Sequence, residues 1–259
     1  MKLSVYYVDA FTDKLFSGNP AAVIFSDIKD ADLMQNIASE NNLSETAFIR
    51  KVDGQYHIRW FAPSCEIDLC GHATLASAYV YFNFINPGST EFEVHSTKNG
   101  SLKVILENDS LYLDFPADSI VPLNESLIEK IIGIEPFEIY QGRDDILAIV
   151  NSETMIRNLE IDFELLKEIN VRGLIVSSRG DYCDFVSRCF FPGAGVNEDP
   201  VTGSAHTTLT PYWSKKLNKT SLLAMQLSER GGVLSCEDKG ERVIIGGKVT
   251  LYMKGEIYV

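Results

Sequence analysis

The chain has 259 residues, 45% of them hydrophobic and 23% charged, which is the composition of a globular protein rather than of a disordered or fibrous one. Its 36 acidic and 23 basic residues give a net charge of −13, and no lysine or arginine cluster stands out. Because a negatively charged surface repels a phosphate backbone, we expect no nucleic-acid partner.

The sequence contains no pattern typical of secretion or membrane insertion. We recognise no signal peptide, and the apolar runs are too short to cross a bilayer. The five cysteines are irregularly spaced, unlike a disulfide framework or a zinc knuckle, and the four histidines lack metal-ligand spacing. We therefore expect a cytoplasmic protein with no membrane association, no metal and no cofactor.

Short stretches rich in β-branched and aromatic residues predict that most of the first half forms strands. Two helices are predicted there, one at about residues 30–40 and one beginning at Gly71. The second is rich in small residues, which would let it lie deep among its neighbours. The predicted strands cover residues 3–9, 21–25, 46–52, 56–61, 92–96, 102–107 and 111–115.

The second half mixes predicted helices and strands. A helix beginning at Thr202 contains Pro211, which we expect to end or kink that helix near Thr210 because proline lacks the backbone N–H donor. The other predicted elements are helices at residues 125–132 and 163–168, strands at 173–177 and 183–190, and further strands to residue 259.

A weak internal repeat relates the two halves. The segment Arg-Trp-Phe-Ala-Pro from Arg59 and the segment Arg-Cys-Phe-Phe-Pro from Arg188 each close a predicted strand. An acidic loop follows each segment, and then a glycine at a predicted helix start, Gly71 or Gly203. The arginines lie 129 residues apart and the glycines 132. Coincidence is the alternative, but the shared order favours two similar lobes, 1–118 and 119–259, with a cleft between them.

Both glycines are candidates for anion binding. A helix start offers free backbone N–H groups and the positive end of the helix dipole, which together suit a carboxylate or an enolate oxygen. The alternative is that Gly71 and Gly203 only permit tight turns between strand and helix.

Groups able to transfer protons lie around these two helix starts. Glu45 lies between the first helix and a strand, His72 follows the first glycine, and Asp199 and Ser204 flank the second. A glutamate near apolar residues suits a group that must take and return a proton near neutral pH. The alternative for Glu45 is a surface charge, and the alternative for His72 is a helix-start residue bonded to the backbone. The alternative for Asp199 is a residue that forms a turn. His206, one turn inside its helix, suits a cleft or a packed core equally well.

Taken together, these segments resemble the PhzF family, the phenazine-biosynthesis isomerases and their relatives, within the diaminopimelate-epimerase-like fold. The most characteristic of them are DLCGHAT at residues 68–74 and EDPVTGSAH at residues 198–206. The resemblance covers the whole chain. Further matching segments are residues 8–11, 16–23, 42–48 and 187–188.

The resemblance implies an α+β fold of two pseudo-symmetric lobes, each a β-barrel-like sheet around a central helix, and often a homodimer. It also implies that Glu45 is the general acid/base of a cofactor-independent isomerase, with His72 and Asp199 as its catalytic partners. The expected substrate is a small, anionic, carboxylate-bearing metabolite. Substrate-binding positions are Ser44, Gly71, Gly203 and Ser204.

Two other functions stay open. The related epimerases use one cysteine at each helix start, whereas this chain has Cys70 at the first and Thr202 at the second. A threonine hydroxyl cannot act as a base near pH 7 without strong activation, which disfavours a two-thiol epimerase or racemase. We favour the interpretation that Cys70 is only a small buried residue, and its part in the chemistry stays open. A non-catalytic small-molecule-binding protein of the same fold is the second alternative.

Overall fold

The computed structural model describes residues 1–98 and 100–259, and the backbone alone of residue 194. Short strands dominate it, and in this part of the chain no helix is long and apolar enough to cross a membrane. The helices are α1 (Ala31–Asn41), α2 (Gly71–Val80), α3 (Leu127–Ile132), α4 (Glu153–Arg157), α5 (Phe163–Glu168) and α6 (Ala205–Leu217). The strands are β1 (Lys2–Ala10), β2 (Asn19–Phe25), β3 (Glu45–Val52), β4 (Gln55–Phe61), β5 (Glu66–Ile67), β6 (Glu91–Ser96), β7 (Gly100–Glu107), β8 (Ser110–Pro116), β9 (Val121–Pro122), β10 (Glu138–Gln141), β11 (Asp145–Ile149), β12 (Gly173–Arg179), β13 (Phe185–Phe191), β14 (Val196–Asp199), β15 (Ser221–Gln226), β16 (Gly232–Asp238), β17 (Arg242–Gly247) and β18 (Val249–Tyr258).

The backbone forms two compact units, one of Met1–Asp114 with Gly246–Val259 and one of Phe115–Ile245. The division expected from the sequence, 1–118 and 119–259, differs in the last residues of the chain. The physical reason is strand pairing, because β18 forms an antiparallel ladder along the whole of β1. The C-terminal strand therefore belongs to the unit that contains the N-terminus.

In the first unit, the strands wrap around α2. Strand β1 pairs antiparallel with β2 and β18, β2 runs parallel to β3, and β3 and β4 form an antiparallel hairpin. Strand β4 pairs antiparallel with β5 and parallel with β6, which continues through β7 to β8. Alanine, serine and threonine side chains dominate α2, and eight of its ten residues are buried. Small side chains let this helix approach the strands closely, as predicted.

In the second unit, the same order of pairing recurs nine strands later. Strand β10 pairs antiparallel with β9 and β11, β11 runs parallel to β12, and β12 pairs antiparallel with β13. Strand β13 pairs antiparallel with β14 and parallel with β15, which forms a hairpin with β16. The central helix follows the short fifth strand of each series: α2 follows β5, and α6 follows β14. The internal repeat predicted from the sequence is thus confirmed at the level of topology.

The two arginines that revealed the repeat make the same contacts. Arg59 donates two hydrogen bonds of 2.7 Å to the carboxylate of Glu66. Arg188 donates bonds of 2.7 and 2.9 Å to Glu198. Each guanidinium also lies over the phenylalanine two residues further along its own strand. The bidentate pair ties the acidic loop to the strand that precedes it, and so orients the chain as it enters the central helix.

The last helix differs from the expectation at its start, and it does not end at its proline. Helix α6 begins at Ala205 rather than Thr202, and it continues through Pro211 to Leu217. Proline cannot donate to the carbonyl four residues earlier, which is that of Thr207. This carbonyl instead accepts a hydrogen bond of 3.1 Å from the backbone N–H of Asp118. Because another segment satisfies the freed carbonyl, the helix does not need to end at the proline.

Candidate active site

Glu45 is the first residue of β3, and its carboxylate is largely enclosed, with 17% of the side chain exposed. The helix α1 ends at Asn42 in the left-handed conformation, and the chain then turns through Ser44 into β3, which lies parallel to β2. This geometry directs the glutamate toward the start of α2. The Glu45 carboxylate is therefore shielded from most solvent.

His72, the second residue of α2, meets that carboxylate. Its Nε2 atom lies 2.9 Å from Oε2 of Glu45, and its side chain is 8% exposed. Apart from this contact, Oε2 is buried with no hydrogen-bond partner among the described residues. The structure thus brings together two predicted residues that lie 27 positions apart in sequence, with Gly71 at the first position of the helix between them in the chain.

Cys70 completes this cluster. Its Sγ lies 3.4 Å from Nδ1 and 3.9 Å from Nε2 of His72. The residue caps α2 in an extended conformation, and its carbonyl accepts hydrogen bonds from the backbone N–H and the hydroxyl of Thr74. Sequence reasoning left the role of Cys70 undecided, because a contact to a ring nitrogen two residues away depends on the exact start of the helix.

Burial and charge set the protonation of this cluster. Burial alone would lower the pKa of His72, but the neighbouring sulfur of Cys70 and the carboxylate of Glu45 outweigh it and hold that pKa well above its usual value. Burial, reinforced by the Glu45 charge, raises the pKa of the Cys70 thiol to about 11. At neutral pH the thiol of Cys70 therefore keeps its proton, and the charge of Glu45 favours the protonated form of His72.

One atom each from Glu45, Cys70 and His72 could in principle bind a metal ion, because all three atoms lie within 4.8 Å of one another. A metal needs a thiolate and a neutral imidazole as ligands. Both groups hold their protons strongly here, for the reasons just given. A metal ion would therefore bind here only with release of these protons, so its affinity would depend on pH.

The second unit contains the other predicted residues. Asp199 ends β14, and its Oδ2 accepts a hydrogen bond of 2.5 Å from the hydroxyl of Thr202. Gly203 and Ser204 form the turn that leads into α6, and their carbonyls accept the first backbone hydrogen bonds of that helix. The glycine therefore precedes the helix here, whereas Gly71 is its first residue in the other unit.

Gln226 at the end of β15 is a residue that sequence reasoning missed. Its side-chain amide is completely buried and donates to the carbonyl of Asp199 at 2.8 Å and to the hydroxyl of Thr202 at 3.2 Å. Its oxygen accepts from the backbone N–H of Thr202 at 2.9 Å. The sequence signal that could have identified it is a polar residue on the buried face of a strand. Leu222 and Ala224 occupy the same face of β15 and are also buried. Gln226 therefore fixes the loop that carries Asp199.

Replacing Gln226 with methionine is expected to lower the free energy of unfolding by about 1–3 kcal/mol, because it leaves buried backbone groups of the 199–202 loop unpaired. Urea denaturation measures this change. The matched control is Gln55→Met on the exposed end of β4, which should change stability little. Equal stability of the two variants would show that the Gln226 hydrogen bonds do not hold the loop.

His206 lies inside the core of the second unit. Its Nδ1 is 2.8 Å from the carbonyl of Thr202, its ring packs against Phe185, and its Nε2 is buried with no partner among the described residues. Burial lowers the pKa of His206 to about 4. A buried, neutral imidazole packed on an aromatic ring corresponds to the packing alternative for this residue.

Comparison with known proteins supplies the family. The family profile described as "PhzC-PhzF: Phenazine biosynthesis-like protein" matches residues 8–255. An uncharacterized isomerase of Pseudomonas aeruginosa is 48% identical, with 100% of both chains covered. The crystal structure of a phenazine biosynthesis protein of the PhzF family from Enterococcus faecalis is 46% identical, has a TM-score of 0.95, and also covers 100% of both chains.

A more distant similarity extends the fold alone. A hydroxyproline epimerase from Agrobacterium vitis superposes with a TM-score of 0.62 at 12% identity, covering 99% of this chain and 92% of its own. The α+β fold expected from the sequence, of the diaminopimelate-epimerase type, is therefore confirmed. With a family profile and close relatives that each span almost the whole length, the chain belongs to the PhzF family of phenazine biosynthesis-like proteins.

Proposed function

We propose that this protein is a cofactor-independent isomerase that moves a proton between two carbon atoms of a small carboxylate-bearing metabolite. Relatives that are named isomerases support the reaction class. The observation that carries the proposal is the enclosed contact of 2.9 Å between the Glu45 carboxylate and the His72 imidazole. A carboxylate held in this way can take a proton from carbon and return it without any other reagent.

The proposed reaction begins when Glu45 removes a proton from a carbon atom next to the unsaturated or carboxylate-bearing part of the substrate. The electron pair of the broken C–H bond delocalises into the substrate, and Glu45 becomes a neutral acid. Glu45 then gives the same proton to a different carbon, which restores its carboxylate and shifts the double bond. General acid–base catalysis of this kind contributes about 10²- to 10⁴-fold to a rate.

Within this scheme, His72 orients the base. Its Nε2 contacts Oε2 of Glu45, and the glutamate has no other hydrogen bond or ion pair to described residues. The second carboxylate oxygen is therefore left for the substrate. The protonated imidazole of His72 beside Oε2 also supplies positive charge. This charge lies near an anionic substrate and near the negative charge that develops during proton transfer.

The remaining predicted roles are part of the proposal. Asp199 is the second proton-transfer residue, and its hydroxyl partner Thr202 fixes one of its carboxylate oxygens. Backbone N–H groups at a helix start are the proposed anion-binding groups. The substrate-binding positions are Ser44, Gly71, Gly203 and Ser204.

An epimerase is the enzymatic alternative, and the state of the Cys70 thiol helps to distinguish it from the proposed isomerase. That reaction needs a thiolate at the first helix start, whereas the pKa of the Cys70 thiol is about 11 and its sulfur contacts His72. In the second unit the residue before the equivalent glycine, Gly203, is Thr202 and not a cysteine. Both observations favour proton movement by Glu45 over inversion by paired thiols.

Proton NMR in deuterated water tests the proposed function, with a panel of small unsaturated and amino carboxylates. We expect the wild-type protein to introduce deuterium at a carbon position and to move the double bond of at least one unsaturated carboxylate. Inversion of a stereocentre without double-bond movement would instead identify an epimerase. Saturable binding with no deuterium in any bound compound would support the binding-protein alternative.

A further inference from the structure

We infer that the first unit contains a binding site for a small phosphate-bearing molecule, separate from Glu45 and His72. The site is a cavity of about 220 Å³ between strands β3 and β4 and the segment that precedes α1. We call it the basic cavity, after the side chains of Lys29, Arg50 and His57 that line it. No residue assigned to the proposed reaction lines this cavity, so the inference does not depend on that reaction.

The pairing of β3 with β4 places the lining side chains on one face of the sheet. Arg50 lies directly opposite His57 in this antiparallel ladder, and Phe48 lies opposite Arg59. Residues that oppose each other across an antiparallel pair point to the same side, and so do residues two apart on one strand. Glu45 is an odd number of positions from Arg50 and therefore points to the other side of β3. The sheet itself separates the basic cavity from the Glu45 carboxylate.

Helix α1 and the segment before it close the cavity on its apolar side. The backbone N–H of Ser26 donates to the carbonyl of Ile49 at 2.9 Å, which fixes this segment to β3. Met34 of α1 packs in one apolar cluster with Ile28 and Phe48, and these three buried side chains form a wall of the cavity. The volume is below the range of about 300–1,000 Å³ that is typical of pockets for drug-sized ligands. The cavity therefore suits a small molecule that has an apolar part.

Among the described residues, the charged side chains that line the cavity are all basic, although the chain as a whole carries a net charge of −13. Arg50 is half-buried, and its guanidinium has no hydrogen bond or ion pair to a described residue. The same holds for the ammonium of Lys29, which is exposed at the rim. His57 adds at least one N–H donor in either tautomer. A half-buried guanidinium without a partner in the protein is suited to bind an external anion.

The acidic residues near the cavity do not cancel this charge. Asp30 caps α1, and its carboxylate accepts hydrogen bonds of 3.0 and 3.4 Å from backbone N–H groups in the first turn of that helix. Asp27 is exposed and does not line the cavity. Glu66 pairs with Arg59, a lining residue that is therefore already neutralised. The charges left for a ligand are those of Lys29 and Arg50.

The distribution of the donors favours phosphate over carboxylate. Lys29, Arg50 and His57 belong to three different segments of the chain, and the hydroxyl residues Ser26 and Thr97 line the same cavity. A phosphate group has at least three acceptor oxygens that point in different directions, whereas a carboxylate has two oxygens in one plane. The expected ligand is therefore a small phosphate monoester whose apolar substituent packs against the buried wall.

NMR titration of the ¹⁵N-labelled protein tests the inference, with phenyl phosphate, inorganic phosphate and benzoate as probes in a phosphate-free buffer of constant ionic strength. We expect phenyl phosphate to shift the backbone amide signals of residues 48–50 and 57–59 in a saturable manner, with a Kd of about 1 mM or tighter. Inorganic phosphate should shift the same signals more weakly. Absence of saturable shifts at these residues with both phosphate probes would overturn the site. Benzoate binding there as tightly as phenyl phosphate would overturn the assignment to phosphate.

Arg50→Gln should weaken the binding of phenyl phosphate by about 10- to 100-fold, because it removes a charged hydrogen-bond donor. The matched control is Lys51→Gln, which removes the same charge from the next residue of β3, an exposed one on the other face. Its Kd should stay within about 2-fold of the wild type, because salt screens distant surface charges. Equal loss of affinity in the two variants would indicate only general attraction of anions and would overturn the inference, as would unchanged binding in Arg50→Gln.

Lys29→Gln is a second test at an exposed position, where the substitution removes no packing contact from the core. It should weaken the binding of phenyl phosphate by about 2- to 5-fold, since an exposed charge contributes less than a half-buried one. Amide signals far from the cavity establish that each variant keeps the fold. The titration needs no turnover, so failure of the proposed function would appear separately, as absence of deuterium exchange in the wild-type protein.

Discussion

Replacing Glu45 with glutamine is expected to abolish deuterium exchange while leaving the fold and substrate binding intact. Glutamine has the size of glutamate, but its amide cannot accept a proton from carbon. Since a general acid/base contributes about 10²- to 10⁴-fold, the exchange rate should fall by at least about 100-fold. The rate of deuterium entry into a substrate of the wild-type protein, followed by proton NMR, measures this effect.

The same substitution at Glu40 is the matched control. Glu40 is exposed near the end of α1, one turn before the segment that leads to Glu45, and it should be dispensable for exchange. Thermal unfolding of both variants establishes that the fold is retained. Exchange at a wild-type rate in Glu45→Gln would remove this glutamate from the mechanism and would contradict the proposed function.

Acidification is expected to destabilise the second unit through His206. Burial lowers the pKa of this side chain in the folded protein from 6.5 to about 4, so above pH 6.5 it is neutral in both the folded and the unfolded state. Between these two values only the unfolded chain binds the proton, and stability is therefore lost as the pH falls. The loss should reach about 3 kcal/mol near pH 4, at 1.36 kcal/mol for each pKa unit.

The variant His206→Gln isolates this contribution. Glutamine can still donate to the carbonyl of Thr202 but does not titrate, so the variant should lose about 2–3 kcal/mol less stability between pH 7 and pH 4.5 than the wild type. Urea denaturation of both proteins at the two pH values gives the change in the free energy of unfolding for each. The contributions of the other titrating groups are the same in both proteins and cancel when the two changes are subtracted. His57→Gln, a change at a half-buried histidine on β4, serves as the control. A pH dependence in His206→Gln equal to that of the wild type would contradict the prediction.

Much of the local structure could be predicted from the sequence. Stretches rich in β-branched and aromatic residues place most strands of the first unit within about two residues of their observed ends, and the helix that begins at Gly71 is correct. The elements missed in the second unit are β9, β10, β11, β14 and α4. Every residue of β11 is buried, so this strand has no polar face and no alternation to recognise.

The residue types of the site and the order of the segments that carry them follow from local sequence patterns. The repeated arginine, acidic loop and glycine define two equivalent helix starts, and the motifs around Glu45 and His72 establish the family. These features are visible because each is local: a periodicity, a spacing or a short motif.

Which of these groups are in contact depends on how the chain folds. The contact of His72 with both Glu45 and Cys70, the hold of Gln226 on the 199–202 loop and the pairing of β18 with β1 all join residues whose separation in sequence does not predict their distance. The uninterrupted course of α6 through Pro211 belongs to the same class, because a distant backbone N–H satisfies the freed carbonyl. Local sequence patterns specify strands, helices and turns. A side-chain contact depends instead on how the strands pair and on which polar groups this pairing removes from water.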